Sequence, residues 1–467
     1  MNTNPSRRIY ANRTLNLRSI KAIGYDLDYT LVHYNPVEWE RRAYEHTRDR
    51  LLERGWPVGD LEFDPDLVIQ GLTIDLELGN LLKVTRFGYV IRAVHGTRRY
   101  QFSQLRRTYA GTVVDLAEDR WVFLNTMFSM SEAALFAQIV DLADQGLIPE
   151  VLGYEDLYRT VRDSLDDAHM EGTLKAEILA DPERFVEPDP QVPRTLLDQK
   201  AAGKRLMLIT NSDWDYARRI MEYAFDPFLG DAMSWRELFD TVIVSARKPG
   251  FFFDDHTLYH VVDEGLSLLT PHAGLAEPGA VYFGGCARRV EESLGISGDE
   301  ILYFGDHLFG DVHASKAQLR WRTALILREL ESEVDALDVF AGKETRLTEL
   351  MADKETLEVE LARLHLEQLR RVESGERPSP QSKNAIEALH ARLAELDDDI
   401  APLAIEAGVL NNAHWGLLMR AGLDKSLFAR QVERYADVYT SRVSNFLDAT
   451  PFAYLRAARA SLPHEPV

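Results

Sequence analysis

Ile23-Gly24-Tyr25-Asp26-Leu27-Asp28-Tyr29-Thr30-Leu31 decides how the rest of the chain is read. Residues 20–25 form a short, mostly apolar run with no charge after Lys21, which suits a strand buried on both faces of a parallel sheet. Reactive groups in such sheets gather at the carboxyl ends of the strands, where Asp26 and Asp28 stand. Two carboxylates one residue apart repel unless a cation sits between them, and Mg²⁺ is the hard cation suited to carboxylate and phosphate oxygens. The pattern predicts a metal site and phosphoryl chemistry; the bland alternative is a solvated acidic turn.

Three later segments repeat the design of an apolar run ending in polar residues. Residues 205–213 end in Thr210, Asn211, Ser212 and Asp213, where hydroxyl and amide donors precede a helix start able to hold an anion, although capping alone would also use them. Residues 241–249 end in Arg247-Lys248-Pro249, and Lys248 is the cation placed to neutralise a transferring phosphoryl group. Residues 301–311 carry Gly305-Asp306 and Gly310-Asp311. Asp306 reads as a further metal ligand, and Asp311 as a holder of a metal-bound water or of Lys248.

Taken in this order, the four segments resemble the haloacid dehalogenase superfamily, whose phosphatases carry Asp-x-Asp-x-Thr, a strand-end Ser or Thr, a Lys, and a Gly-Asp-x-x-x-x-Asp element. The resemblance implies that Asp26 is a nucleophile forming an aspartyl-phosphate and that Asp28 is the general acid and base. It implies further that Thr210, Asn211 and Lys248 serve catalysis, that Thr30 steadies the loop, and that Mg²⁺ is held by Asp26, Asp28, Asp306 and Asp311. Residues 79–83, 93–96, 124–128, 161–163, 172–175, 246–249 and 305–311 narrow the similarity to the cytosolic purine 5′-nucleotidases that prefer IMP and GMP.

By that resemblance Phe128 stacks on the purine, Arg162 and Asp166 read its polar edge, and His169, Lys175, Ser129 and Ser212 line the nucleotide pocket. Ser129 stands where that family usually has Asn. The implied substrate is a purine nucleoside monophosphate, with a nucleoside as a second phosphate acceptor and a homo-oligomer, dimer or tetramer, as the assembly. Phe309, Arg434 and Tyr435 match an effector site of the animal members, while Asp115 and Ala317 replace basic residues expected there. Two other readings are a phosphatase of another small phosphometabolite and a non-catalytic scaffold on the same fold.

Composition agrees with a soluble enzyme. At 467 residues and 45% hydrophobic, the chain can bury a large core. Its single cysteine, Cys286, rules out an internal disulfide and a cysteine-rich metal site, which fits a reducing cytoplasm. A net charge of −22 argues against nucleic acid or an anionic membrane as partner. No apolar run approaches the ~20 residues needed to cross a bilayer.

The long interval between Asp28 and Thr210 exceeds what a crossover between neighbouring strands needs, so it must hold a cap. The expected architecture is α/β: a Rossmann-like, doubly wound parallel sheet of haloacid dehalogenase type, with a large cap insertion and a C-terminal helical hairpin. The catalytic core takes residues 1–34 and 195–330, the cap 35–194, and the hairpin 331–410. Residues 411–467 pack on the core, and residues 250–295 form a smaller insertion. Leu347, Leu350, Leu357, Leu361 and Leu364 mark one helical stripe of the hairpin, and Ile386, Leu389, Leu393, Leu396, Ile400 and Leu403 the other. These stripes suit an antiparallel pair or a subunit contact.

Overall fold

The apolar runs that end beside Asp26, Thr210, Ser245 and Asp306 show no alternation because the strands they form, Ala22–Tyr25, Arg205–Ile209, Thr241–Val244 and Ile301–Gly305, are buried apart from Arg205. Ile23, Tyr25, Leu206, Leu208, Val242, Val244, Leu302 and Phe304 enter one core cluster. Ala22, Met207, Ile209, Ile243, Ile301 and Tyr303 enter another. Successive side chains of a strand point to opposite faces, so each strand feeds both cores and needs apolar residues throughout. Residues of helices Gln191–Ala201 and Trp214–Phe225 complete the first cluster; residues of Ala287–Leu294 and Ala314–Leu319 complete the second. The sheet is therefore doubly wound.

This computed structural model describes residues 5–149, 152–170, 172–230, 233–263, 265, 268–272, 279–377 and 379–458, without the side chains of residues 169 and 170. The main sheet has ten strands, in the order Tyr10–Ala11, Val438–Thr440, Arg322–Ile326, Ile301–Gly305, Ala22–Tyr25, Arg205–Ile209, Thr241–Val244, Ala280–Gly284, Leu258–Asp263 and Leu268–His272. The strands from Val438–Thr440 to Ala280–Gly284 run parallel, and antiparallel strands close both edges. The four motif-bearing strands are consecutive neighbours, so their carboxyl ends open at one place. The stretch 250–295 does not stand apart as an insertion: it supplies Ala280–Gly284 and the hairpin Leu258–Asp263/Leu268–His272, which extend the sheet.

Between the first two motifs the chain builds a five-stranded antiparallel sheet, Arg98–Arg99, Val90–His95, Asn80–Val84, Thr73–Asp75 and Trp121–Phe123, and helices Pro36–Glu53, Met130–Asp144 and Tyr154–Met170. Helix Pro36–Glu53 starts where Asn35 accepts the Val37 and Glu38 N–H groups and Pro36 presets the first turn. The outgoing and returning segments meet as an antiparallel pair, His33–Tyr34 with Val186–Glu187.

Contacts divide the chain into two units, one of residues up to Glu331 with those from Leu418 onward, the other Ser332–Leu417. The second unit is dominated by helices Leu330–Glu373 and Pro380–Gly408, in which Leu347, Leu350 and Leu357 pack on Leu396, Ile400 and Leu403. Lys343–Glu406 and Lys354–Asp397, each 2.5 Å, bridge the two helices and set them antiparallel. Among the described residues no helix is long and apolar enough to cross a membrane.

Candidate active site

The strand ends converge on a cavity of about 690 Å³ lined by Asp26, Asp28, Thr210, Asn211, Ser212, Lys248, Asp306 and Asp311, and also by Phe128 and Lys175 from the interval between the first two motifs. A space of this size suits one small ligand. Asp26 follows the central strand, and its Oδ1 accepts from the Leu27 N–H at 2.8 Å and from Lys248 Nζ at 2.7 Å. Lys248 Nζ also meets Asp311 Oδ1 at 2.8 Å and donates to the Tyr303 hydroxyl at 3.1 Å. Asn211 fixes the lysine's backbone, its Oδ1 accepting from the Lys248 N–H at 2.6 Å and its Nδ2 donating to the Lys248 carbonyl at 3.1 Å. Thr210 is buried, and its hydroxyl accepts the Ser212 N–H at 3.0 Å.

Asp26, Asp306 and Asp311 are all buried and offer oxygens within 4.8 Å of one another. Asp306 Oδ2 has no hydrogen-bond partner. Burial raises the Asp26 carboxyl, against the pull of Lys248, and burial with the neighbouring Asp311 and Asp26 charges pushes Asp306 well above the carboxylate range. Although burial opposes its charge, Lys248 is held well above the usual lysine value by Asp26 and Asp311. Three carboxylates facing one ammonium leave negative charge uncompensated, and an orphaned oxygen among hard donors is what a divalent cation would satisfy. The residues present therefore fit such an ion.

Asp28 departs from the expected ligand set. Its Oδ1 accepts from the Tyr34 hydroxyl at 2.5 Å and its Oδ2 from the Ser212 hydroxyl at 2.6 Å, which turns the carboxylate out of the acidic cluster. The cluster whose oxygens could share one ion is Asp26, Asp306 and Asp311, and Asp28 is not part of it. Lys175 Nζ donates to Ser212 Oγ at 3.0 Å and lies 4.7 Å from the Tyr216 ring centroid.

The base-recognition residues are only partly assembled. Phe128 lines the cavity, braced edge-on by Tyr29 at 4.9 Å and Trp39 at 5.4 Å between ring centroids. Ser129, Arg162 and Asp166 do not line it. Arg162 lies among Tyr158, Glu132 and Asp166, the last at helical i, i+4 spacing, so its charge is already answered by neighbours on the cap. The His169 side chain lies outside the described residues. Phe309, Arg434 and Tyr435 come together, with Phe309 and Tyr435 centroids 5.9 Å apart and Arg434 5.1 Å over the Tyr435 ring; Asp115 and Ala317 are exposed. Trp39, Leu174, Phe253, His307 and His313 also line the cavity without having been singled out in the sequence. His307 lies within the last motif and His313 just after it, and that placement was the available signal; Trp39 and Phe253 had none beyond being aromatic.

Gly305 is required by a close approach. A Cβ there would lie 2.5 Å from Asp311 Cβ and 2.6 Å from its carboxyl carbon. Gly305→Ala must push Asp311 away from Lys248, so phosphate release should fall by about tenfold or more while the far-ultraviolet circular dichroism stays that of the parent. Unchanged turnover would show that the Asp311–Lys248 contact is dispensable.

A doubly wound sheet with this strand-end constellation is the arrangement that the resemblance to the haloacid dehalogenase phosphatases implies. The chain belongs to the 5′ nucleotidase family, whose sequence model matches residues 9–467, and it is a phosphoric monoester hydrolase. It is similar to 5′-nucleotidase domain-containing protein 2 of Homo sapiens, 28% identical over 98% of this chain and 85% of the relative. A 5′-nucleotidase domain-containing protein of Dictyostelium discoideum is 27% identical over 98% of this chain and 74% of that one. Among solved structures, the archaeal beta-phosphoglucomutase of Pyrococcus sp. strain ST 04 matches 66% of this chain and 86% of its own at 11% identity, with a TM-score of 0.32, a likeness too loose to carry weight.

Proposed function

We propose that the protein is a Mg²⁺-dependent 5′-nucleotidase that hydrolyses purine nucleoside 5′-monophosphates, IMP and GMP, through an aspartyl-phosphate on Asp26. The observation that carries the reading is Asp26 in the cavity lining, its Oδ1 fixed by Leu27 N–H and Lys248. With Oδ1 so held, Oδ2 attacks phosphorus and the bond to the nucleoside 5′ oxygen breaks. Asp28 gives its proton to that oxygen, then takes one from the water that attacks the aspartyl-phosphate, releasing inorganic phosphate and restoring Asp26. A nucleoside hydroxyl in place of that water gives phosphotransfer.

Asp26, Asp306 and Asp311 would hold Mg²⁺, which when bound supplies positive charge to the phosphoryl oxygens. Lys248 adds its own charge at the same oxygens, and Thr210 and Asn211 border them. Phe128, in the cavity lining, offers an aromatic surface on which a base can stack. Recognition of the 6-oxopurine edge by Arg162 and Asp166 requires helix Tyr154–Met170 to move toward the bound nucleotide.

The test is phosphate release from IMP, GMP, AMP, UMP and p-nitrophenyl phosphate, each with and without Mg²⁺. The expected result is a Mg²⁺-dependent preference for IMP and GMP. Equal rates on all five would remove the purine reading and leave a general phosphatase, and release without any divalent ion would remove the metal.

A further inference from the structure

Asp28 is partnered by hydroxyls, not by the Lys248 ammonium that holds Asp26 and Asp311. It is held by hydroxyls from two directions. Tyr34 donates to Oδ1 at 2.5 Å and Ser212 to Oδ2 at 2.6 Å. Behind Tyr34 stands Tyr216, the two hydroxyl oxygens 2.9 Å apart, and behind Ser212 stands Lys175 at 3.0 Å. Tyr34 and Tyr216 are both buried. Burial, and then the Asp28 charge beside them, keep both phenols protonated, so their hydroxyls persist as a connected pair.

We propose that Tyr34, backed by Tyr216, is the positioning residue for Asp28, and that this hydroxyl pair holds the carboxyl group in both of the states its task demands. The proposal rests on the reading of Asp28 as general acid and base. A group that gives a proton in one half-reaction and takes one in the next must be oriented in its neutral and in its charged form. A lysine or arginine there would favour the carboxylate and oppose the proton-bearing form, whereas a neutral phenol serves either. Tyr34 donates to Oδ1 in both: an ionised Asp28 accepts there, and an Asp28 carrying on Oδ2 the proton meant for the leaving oxygen keeps Oδ1 as an acceptor. Heavy atoms need not move between the two forms.

The placement of Tyr34 adds a second consequence. It lies in the strand His33–Tyr34, and its register partner is Val186, where the chain returns toward the main sheet. Ser212 is tied to Lys175, on helix Thr173–Ala180 of the same insertion. The aim of Asp28 is thus set by the two crossings of the insertion on one side and by one of its helices on the other.

Leaving-group dependence tests this, because p-nitrophenolate departs without a proton whereas a nucleoside 5′ oxygen needs one. Wild type, Tyr34→Phe and Asp28→Asn are compared in single-turnover release of p-nitrophenolate from p-nitrophenyl phosphate and of nucleoside from whichever nucleoside 5′-monophosphate is turned over. Tyr34→Phe should slow nucleoside release by ~10- to 100-fold while changing p-nitrophenolate release by less than about threefold. Asp28→Asn should show the same selectivity, more strongly. Tyr216→Phe, which keeps Tyr34 in place, should show it more weakly and serves if Tyr34→Phe does not fold. Equal losses on both substrates, or none, in the tyrosine variants alongside a selective Asp28→Asn would overturn the proposal. An Asp28→Asn variant without selectivity would instead overturn the acid role on which it rests.

Discussion

Replacing Asp26 by Asn should reduce phosphate release on the order of 10⁴-fold or more, the scale seen when a covalent nucleophile is removed, without lowering the melting temperature. The two halves of this expectation have one cause. Asp26 is buried among Asp306 and Asp311, and each added negative charge there is opposed by desolvation and by its neighbours. An amide of the same shape removes one of those charges and leaves Lys248 paired with Asp311 at 2.8 Å. The folded state loses a reagent and some repulsion together. Parallel assays of turnover and thermal unfolding check it, and retained turnover would mean that the phosphoryl group is accepted elsewhere.

Lys248→Met should do the reverse, damaging activity and stability at once. The ammonium is 3% exposed and lies between Asp26 and Asp311 at 2.7 and 2.8 Å. Removing one partner of a buried charge group costs about 3–5 kcal/mol, chiefly because the other is left unpaired. Here two carboxylates are left so, beside an Asp306 that already lacks a partner for Oδ2. The unfolding midpoint in denaturant should fall accordingly, and Mg²⁺ should restore part of it, since a cation among the three acids replaces the missing charge. A midpoint equal to that of the parent would show that the lysine is not what stabilises the acids.

Asp26, Thr210, Lys248 and Asp306 were legible because strand burial on both faces writes a continuous apolar run, and the first polar residues after such a run sit at the sheet's carboxyl edge. The same logic found Ala22–Tyr25, Arg205–Ile209, Thr241–Val244 and Ile301–Gly305, and the spacing of leucines found the two long helices. What escaped depends on side-chain direction and on elements meeting from afar. Asp28 is turned from the acidic cluster by Tyr34 and Ser212, the latter 184 positions away, and no local pattern encodes that turn. Arg162 sits off the cavity wall because of where its helix rests, which tertiary packing decides. Residues 250–295 read as an insertion because the strands Leu258–Asp263 and Leu268–His272, the last two of the sheet, are partly exposed and carry polar residues, unlike the core runs.

The strand that precedes Asp26 lies in the middle of the sheet, between Ile301–Gly305 and Arg205–Ile209. During synthesis it emerges long before either neighbour exists. One edge stays open until residue 209 has left the ribosome and the other until residue 305. An apolar strand with bare N–H and C=O groups on both edges is a template for pairing with other chains. The nascent polypeptide therefore carries this adhesive segment with both edges bare until residue 209 and one bare until residue 305, and fragments ending before residue 205 should be the form of this protein most dependent on chaperones.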